Sequence, residues 1–353
     1  MESTENLTPL NVEQLANLLL RAYLAMVRSG TPFQKFPSVM LWGPPGVGKS
    51  QAVRQIAAAL EQGTGRRVAV TDVRLLLFNP VDLRGIPAAN ADRTLAVWLK
   101  PKIFQMDESE NVLNLLFLDE ISAAPPSVQA AAYQITLDRM VGEHRLPENC
   151  IVIAAGNRVT DKSVAYNMPK ALANRLCHFE VAVDAAAWHR WALRAGVHPF
   201  VTGYLEYNPA ALMRFDPSGT QLAFPTPRSW EMVSSILNMI SADVTEVYPL
   251  VAGCIGEETA YPFKTWCGLY EKLPDPAVIF AGEEAAVPKA PELCLALRSA
   301  LAAYARQRPE QASLDHAIAY ACRLPWEFRR GFLHDCNQIP ALRPLLKQNE
   351  VFR

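Results

Sequence analysis

The sequence predicts an α/β domain, a parallel sheet between helices, followed by an all-helical domain. Three observations predict it. Short apolar strands alternate with amphipathic helices through the first half of the chain, the pattern of a parallel sheet covered on both faces. A glycine-rich stretch, Gly43 to Ser50, joins an apolar strand to a helix. From about Asp184 the strand signals fade, and helical stretches broken by proline-rich turns take over. The expected domains are therefore 1–183 and 184–353.

Each element has its reason. Asn11 is an N-cap with Gln14 three residues on, and Leu15, Leu18, Leu19, Ala22 and Met26 recur at helical spacing. Gly30, Pro32 and Pro37 end that helix. The strand "SVMLW" follows, then "GPPGVGKS", then a helix with Val53, Ile56, Ala57 and Leu60 on one face, closed by Gly63 and Gly65. "RRVAVTDV" reads as the next strand, 111–119 as the third and 150–155 as the fourth. Pro125 and Pro126 open the helix between the last two, since proline suits a first helical turn. Its buried face is Val128, Ala131, Ala132 and Ile135.

At 353 residues the chain has length for about two domains. Its net charge of −1 implies no general attraction to nucleic acid or anionic membrane, though a local basic patch stays open. The opening "MESTENLTPL" lacks the basic-then-apolar layout of a signal peptide, and no apolar run approaches the roughly 18 residues of a membrane span. The seven cysteines are scattered, odd in number and without C-x-x-C pairs. Buried thiols fit this better than disulfides or a metal framework, and a cytoplasmic location is the expectation.

The chemistry concentrates in two stretches. Gly43, Pro44, Pro45, Gly46, Val47, Gly48, Lys49 and Ser50 match G-x-x-x-x-G-K-[ST], with a strand before and a helix after. Glycines let backbone N–H groups turn inward around phosphate oxygens, and the helix N-terminus adds its positive dipole end. Lys49 then reaches the outer phosphates and the Ser50 hydroxyl ligates Mg²⁺. In "LLFLDEISAA", 115–124, Asp119 and Glu120 stand side by side at the end of an apolar strand. Adjacent acids there repel and lose hydration unless something uses their charge. Asp119 suits Mg²⁺, directly or through water, and Glu120 suits polarising a water for attack on a γ-phosphate.

Lys49 with Ser50, Asp119 with Glu120, and Asn157 at the end of "IVIAAGN" resemble Walker A, Walker B and sensor 1 of an AAA+ ATPase. "LDEISAAPPSVQAA", "LPENCIVIAAGN" and "MPKALANRL" resemble, more narrowly, the MoxR group of the helix-2-insert clade. The resemblance covers roughly residues 10–240. It implies ATP and Mg²⁺ as ligands, with Asn157 between the two acids and the γ-phosphate. It implies that Arg175 is the arginine finger offered to a neighbouring subunit, with Arg158 as second candidate. Arg228, in "FPTPRSWE", falls at the sensor 2 position of a helical lid, acting on its own or a neighbouring subunit's nucleotide.

Two stretches exceed the minimal fold. Residues 79–101 resemble the helix-2 insert and 137–149 the hairpin before sensor 1; both would face a ring pore, presenting Trp98, Met140, Arg84, Arg139 and Arg145. Residues 184–353 resemble a lid with a helical extension. The implied activity is Mg²⁺-dependent ATP hydrolysis by a homo-oligomer, hexameric by resemblance, that remodels or matures a protein client, possible partners including a von Willebrand factor A domain. A nucleic-acid motor or restriction-type translocase, and a nucleotide-gated scaffold with little turnover, are the rival readings. Elsewhere, Trp188 and Trp191 read as core and 274–288 as a surface loop. His178, His189 and His198 lack metal-ligand spacing with any acid or cysteine.

Overall fold

Ten strands occur among the described residues: β1 (Pro9–Leu10), β2 (Val39–Trp42), β3 (Arg67–Arg74), β4 (Ile86–Ala89), β5 (Ala96–Leu99), β6 (Val112–Asp119), β7 (Met140–Val141), β8 (His144–Arg145), β9 (Cys150–Gly156) and β10 (Cys177–Val181). The computed structural model describes residues 7–161, 166, 168–240 and 244–349. Two units result, residues 1–183 and 184–353.

In the first unit six strands form one sheet in the order β1-β10-β2-β9-β6-β3, and every pairing is parallel. Strands β6 and β9 are buried along almost their whole length, as expected of strands covered on both faces. Alternation sorts their side chains between two cores. Leu113, Leu115 and Phe117 meet Leu15, Leu19, Val53, Ile56 and Leu60 of helices α1 (Val12–Ser29) and α2 (Lys49–Thr64). Leu116 and Leu118 face the opposite way, onto Val128, Ala132 and Ile135 of a helix at Pro126–Asp138. The one polar residue inside β6, Asn114, is satisfied by donating to Asp107 O (2.7 Å) and Asn149 Oδ1 (2.9 Å).

Between β3 and β6 run helix α3 (Pro80–Arg84) and the antiparallel β4–β5 hairpin; after α4 (Pro126–Asp138) comes the β7–β8 hairpin. Both expected insertions are thus hairpins, and they touch. A His144 ring nitrogen bonds the Trp98 carbonyl at 2.8 Å, and a Cβ on Gly142 would lie 2.6 Å from the Arg84 carbonyl. A four-residue helix, α5 (Lys170–Ala173), precedes β10.

Helix starts follow their caps. Asn11 and Gln14 form the expected capping box on α1. Gly65, left-handed at φ 67°, closes α2, whereas Gly63 lies inside it, so only one of the two expected terminators acts.

The second unit, among its described residues, is helical: α6 (Ala185–Ala195), α7 (Pro199–Tyr207), α8 (Pro227–Met239), α9 (Val244–Ile255), α10 (Glu257–Cys267), α11 (Pro276–Phe280), α12 (Pro291–Gln307), α13 (Gln311–Ala321), α14 (Trp326–Gln338) and α15 (Arg343–Leu346). Tyr204, Trp230 and Phe263 pack ring against ring at its centre. Helix α8 starts at Pro227 because Thr226 and Ser229 form a capping box. Trp188 is core, as expected. The stretch 274–288 holds the expected short apolar element as a turn of helix, α11, with Ile279 and Phe280 buried; residues 281–284 beside it are exposed, and Tyr320 Oη donates to the Ala286 carbonyl. Short apolar runs between prolines give no period by which to tell a docked turn of helix from a loop.

None of the seven cysteines is in a disulfide, and burial pushes the Cys150 thiol up to about 12. No helix among the described residues is long and apolar enough to cross a membrane.

Candidate active site

The site lies where β2, β6 and β9 end together. Register pairs Trp42 with Gly156 and Leu118 with Ala154, so the segments that leave these strands, at Gly43, Asp119 and Asn157, emerge side by side. In open parallel sheets this carboxyl edge is where ligands bind.

Glycine is required in the loop by geometry. Gly43 (φ 153°), Gly46 (φ 79°) and Gly48 (φ 105°) all have positive φ, and a Cβ on Gly43 would lie 2.7 Å from the Val181 carbonyl. Pro44 and Pro45 stiffen the turn between them, and Val47 turns its side chain into the core, leaving its backbone to line the loop. Gly48 is the N-cap of α2 and offers no side-chain cap. By contrast Asn11 caps α1 and Thr226 caps α8. The loop therefore combines positive-φ glycines with an uncapped 16-residue helix, an arrangement that suits a phosphate group.

Lys49 is buried, and its ammonium donates to the carbonyls of Gly43 and Pro44 and, at 2.8 Å, to Asn157 Oδ1. Ser50 Oγ donates to Asp119 Oδ2 at 3.1 Å. A hydroxyl and a carboxylate aimed at one point beside a phosphate-type loop form a hard oxygen donor set, which fits Mg²⁺.

Glu120 has the left-handed backbone (φ 59°) that few non-glycine residues adopt. The turn is held from several sides. Glu120 N donates to Asp119 Oδ1 (2.9 Å), Ile121 N to Ala155 O (2.9 Å), and Ala123 N to Glu120 O (3.0 Å). Ser122 Oγ accepts from Asn157 N (2.9 Å), and Gln129 Nε2 donates to Ser122 O and Ala124 O. A strained conformation fixed this firmly aims a side chain. Ser122 and Gln129 tie Glu120's turn to Asn157; both lie within "LDEISAAPPSVQAA", but the sequence reading gave neither a role.

The arginines are distributed differently. Arg175 is exposed in the turn between α5 and β10. Arg158 is half-buried and pairs with Glu180 on β10, so its guanidinium is engaged within its own unit. Arg228 is exposed in the first turn of α8, in the second unit. A cation there opposes the helix dipole by roughly 0.3–1 kcal/mol.

Of the expected pore-facing residues, Arg84 and Arg145 are exposed, and Trp98 and Met140 half-buried. Arg139 contradicts the expectation. It is buried in a left-handed C-cap position of α4, donating to Phe36 O (2.9 Å) and Cys150 O (3.2 Å). Its charge reads as surface in the sequence, but its two carbonyl partners lie remote from it along the chain.

His189 also has partners that spacing concealed. It faces Asp335 (3.4 Å) and Glu206 (3.7 Å), brought together from α6, α14 and α7. Arg298 of α12 clamps Asp335 at 2.7 and 2.8 Å and Glu206 at 2.6 Å. With the guanidinium taking both carboxylates, the group is an ion-pair junction of four helices.

Residues 38–178 match the model of the ATPase family associated with various cellular activities (AAA). That segment runs from the start of β2 into β10 and contains the loop, both acids, Asn157 and Arg175. The match covers less than half of the chain and falls on the segment that carries the candidate site. No curated protein matches the chain. Among solved structures, a candidate ATPase from Cytophaga hutchinsonii is 15% identical over 89% of this chain and 78% of its own, with a TM-score of 0.34. Two single-residue mutants of RuvB from Thermotoga maritima are 14% and 17% identical. They cover 74% and 80% of this chain and 69% and 83% of their own, at TM-scores of 0.35 and 0.39. Likenesses this distant add nothing to the geometry above.

Proposed function

We propose that the protein binds and hydrolyses ATP with Mg²⁺ and uses the cycle to remodel or mature a protein client, as a MoxR-like ring assembly. One observation carries the reading: Lys49 beside Asn157 and Ser50 beside Asp119, with Glu120 on the next residue, at the mouth of a glycine loop.

In this reading the backbone N–H groups of Gly46 to Ser50 cradle the phosphates. Lys49 exchanges its carbonyl partners for β- and γ-phosphate oxygens. Ser50 and Asp119 hold Mg²⁺, which neutralises charge on the phosphate oxygens. Glu120 accepts a proton from the attacking water, and Asn157 orients that water against the γ-phosphate. Arg175 enters the neighbouring subunit's site, where a cation stabilises charge on the phosphoryl group in flight. Its exposure supports this, and Arg158's engagement with Glu180 disfavours the rival candidate. Arg228 serves as the lid's nucleotide contact; its placement against the helix dipole supports a role that repays the cost. The joined hairpins within 79–101 and 137–149 support the MoxR-like assignment and offer a surface for the client.

The test is a trap. Glu120→Gln protein, isolated from its native cells with ATP and Mg²⁺, is analysed for bound protein by mass spectrometry and for nuclease-sensitive absorbance. A stoichiometric protein, with or without a von Willebrand factor A domain, supports the client reading. Nucleic acid released by salt replaces it with a motor.

A further inference from the structure

Strand β10 carries two side chains, His178 and Glu180, on the face opposite Phe179 and Val181, which pack into the core over α1 and α2. Each meets a residue next to the nucleotide machinery. Trp42, the residue before Gly43, sends its indole Nε1–H to His178 Nδ1 at 2.9 Å, with the two rings stacked at 6.1 Å and 16°. Arg158, the residue after Asn157, pairs with Glu180.

The other His178 nitrogen completes a chain. An indole nitrogen only donates, so Nδ1 must accept, and Nε2 therefore carries the proton. Nε2 donates to the Ala173 carbonyl at 2.7 Å. That same carbonyl receives the N–H of Leu176 (3.2 Å), closing the turn Ala173–Leu176, and Arg175 is the third residue of this turn. Stacking alone would pack Trp42 against His178; it would not require both ring nitrogens to be engaged.

We infer that the Trp42–His178–Ala173 chain is a positioning bridge: it ties the strand end that leads into a subunit's own phosphate loop to the turn that presents Arg175. The inference rests on the proposed role of Arg175 in a neighbouring subunit's site. The bridge fixes the Ala173 carbonyl against the strand end, and with it the turn that carries Arg175. His178 and Trp42 are positioning residues.

The experiment separates this from the underlying reading. Lys49→Ala subunits have a sound Arg175 and an empty site, whereas Arg175→Ala subunits have a sound site and no finger. Mixed, they recover hydrolysis if Arg175 acts across subunits. Absence of recovery overturns the reading and the bridge with it. Given recovery, the finger donor is changed to Lys49→Ala/His178→Phe, which keeps the stacked ring and loses both hydrogen bonds. The expected result is about tenfold less recovered turnover at unchanged KM for ATP, as for a misplaced catalytic group. Lys49→Ala/His178→Gln, which keeps an acceptor and a donor, restores recovery. Trp42→Phe in the donor reproduces the loss. Recovery with the His178→Phe donor equal to that with Lys49→Ala alone overturns the bridge, as does a loss that the glutamine fails to rescue.

Discussion

Lys49 Nζ lies 2.8 Å from Asn157 Oδ1, joining the first residue of α2 to the residue that follows β9. A buried ammonium held by two carbonyls and one amide oxygen has neutral partners that a phosphate can replace. Lys49→Ala is expected to weaken ATP binding by about 100-fold or more, since the outer phosphates lose their cation. Fluorescent nucleotide titration measures it. Unchanged affinity would remove Lys49 from the phosphate site.

Arg175→Ala is expected to leave ATP affinity of a dilute subunit within about twofold. Hydrolysis by the assembly should fall by roughly 10³-fold or more, the range for a trans arginine. Arg158→Ala is expected to lower melting temperature as well as turnover, because it leaves Glu180 half-buried and unpaired. Binding and turnover measured on both variants separate an exposed finger from an internal ion pair.

Arg139→Met is expected to destabilise the first unit by about 2–3 kcal/mol, since two buried carbonyls lose a charged donor. Urea melts measure the loss. Client binding, once a client is in hand, should be unchanged at temperatures where the variant is folded.

Stability of the second unit should fall with pH in two steps. Burial lowers the His198 pKa from 6.5 to about 4. The unfolded chain therefore binds the proton first, and stability present above about pH 6.5 is lost as pH falls towards 4. Asp335 acts below that. Burial alone would raise its pKa, but hydrogen bonds from His189 and His334 and the Arg298 charge outweigh it and hold the carboxyl well below its ordinary 3.8. Its contribution is present above about pH 4 and lost further down. Denaturant melts from pH 7.5 to 3, compared with His198→Phe, should show the upper step missing in the variant.

The parallel sheet and its helices were legible because they rest on local signals: apolar runs of strand length, helical spacing, the cap at Asn11 and the proline that opens α4. The loop and the two acids were legible because their chemistry is contiguous in sequence. What escaped was long-range. The strand β1 is two residues long, too short to carry a period, and exists by pairing with β10. Arg139 and His189 take partners from elsewhere in the chain, so charge placed Arg139 at the surface and spacing showed no acid beside His189. Ser122 and Gln129 stand inside a quoted motif, but their hydrogen bonds around the Glu120 turn depend on the folded turn and on Asn157, 35 residues from Ser122.

The central claim is hydrolysis at Glu120, and the most direct test is phosphate release from Mg²⁺-ATP by native and Glu120→Gln protein, with ATP affinity measured on both. The account predicts turnover by the native protein, a loss of about 10²–10⁴-fold in the variant, and affinity retained or increased. Equal turnover by the two proteins, or ATP binding with no hydrolysis by the native assembly, would contradict it.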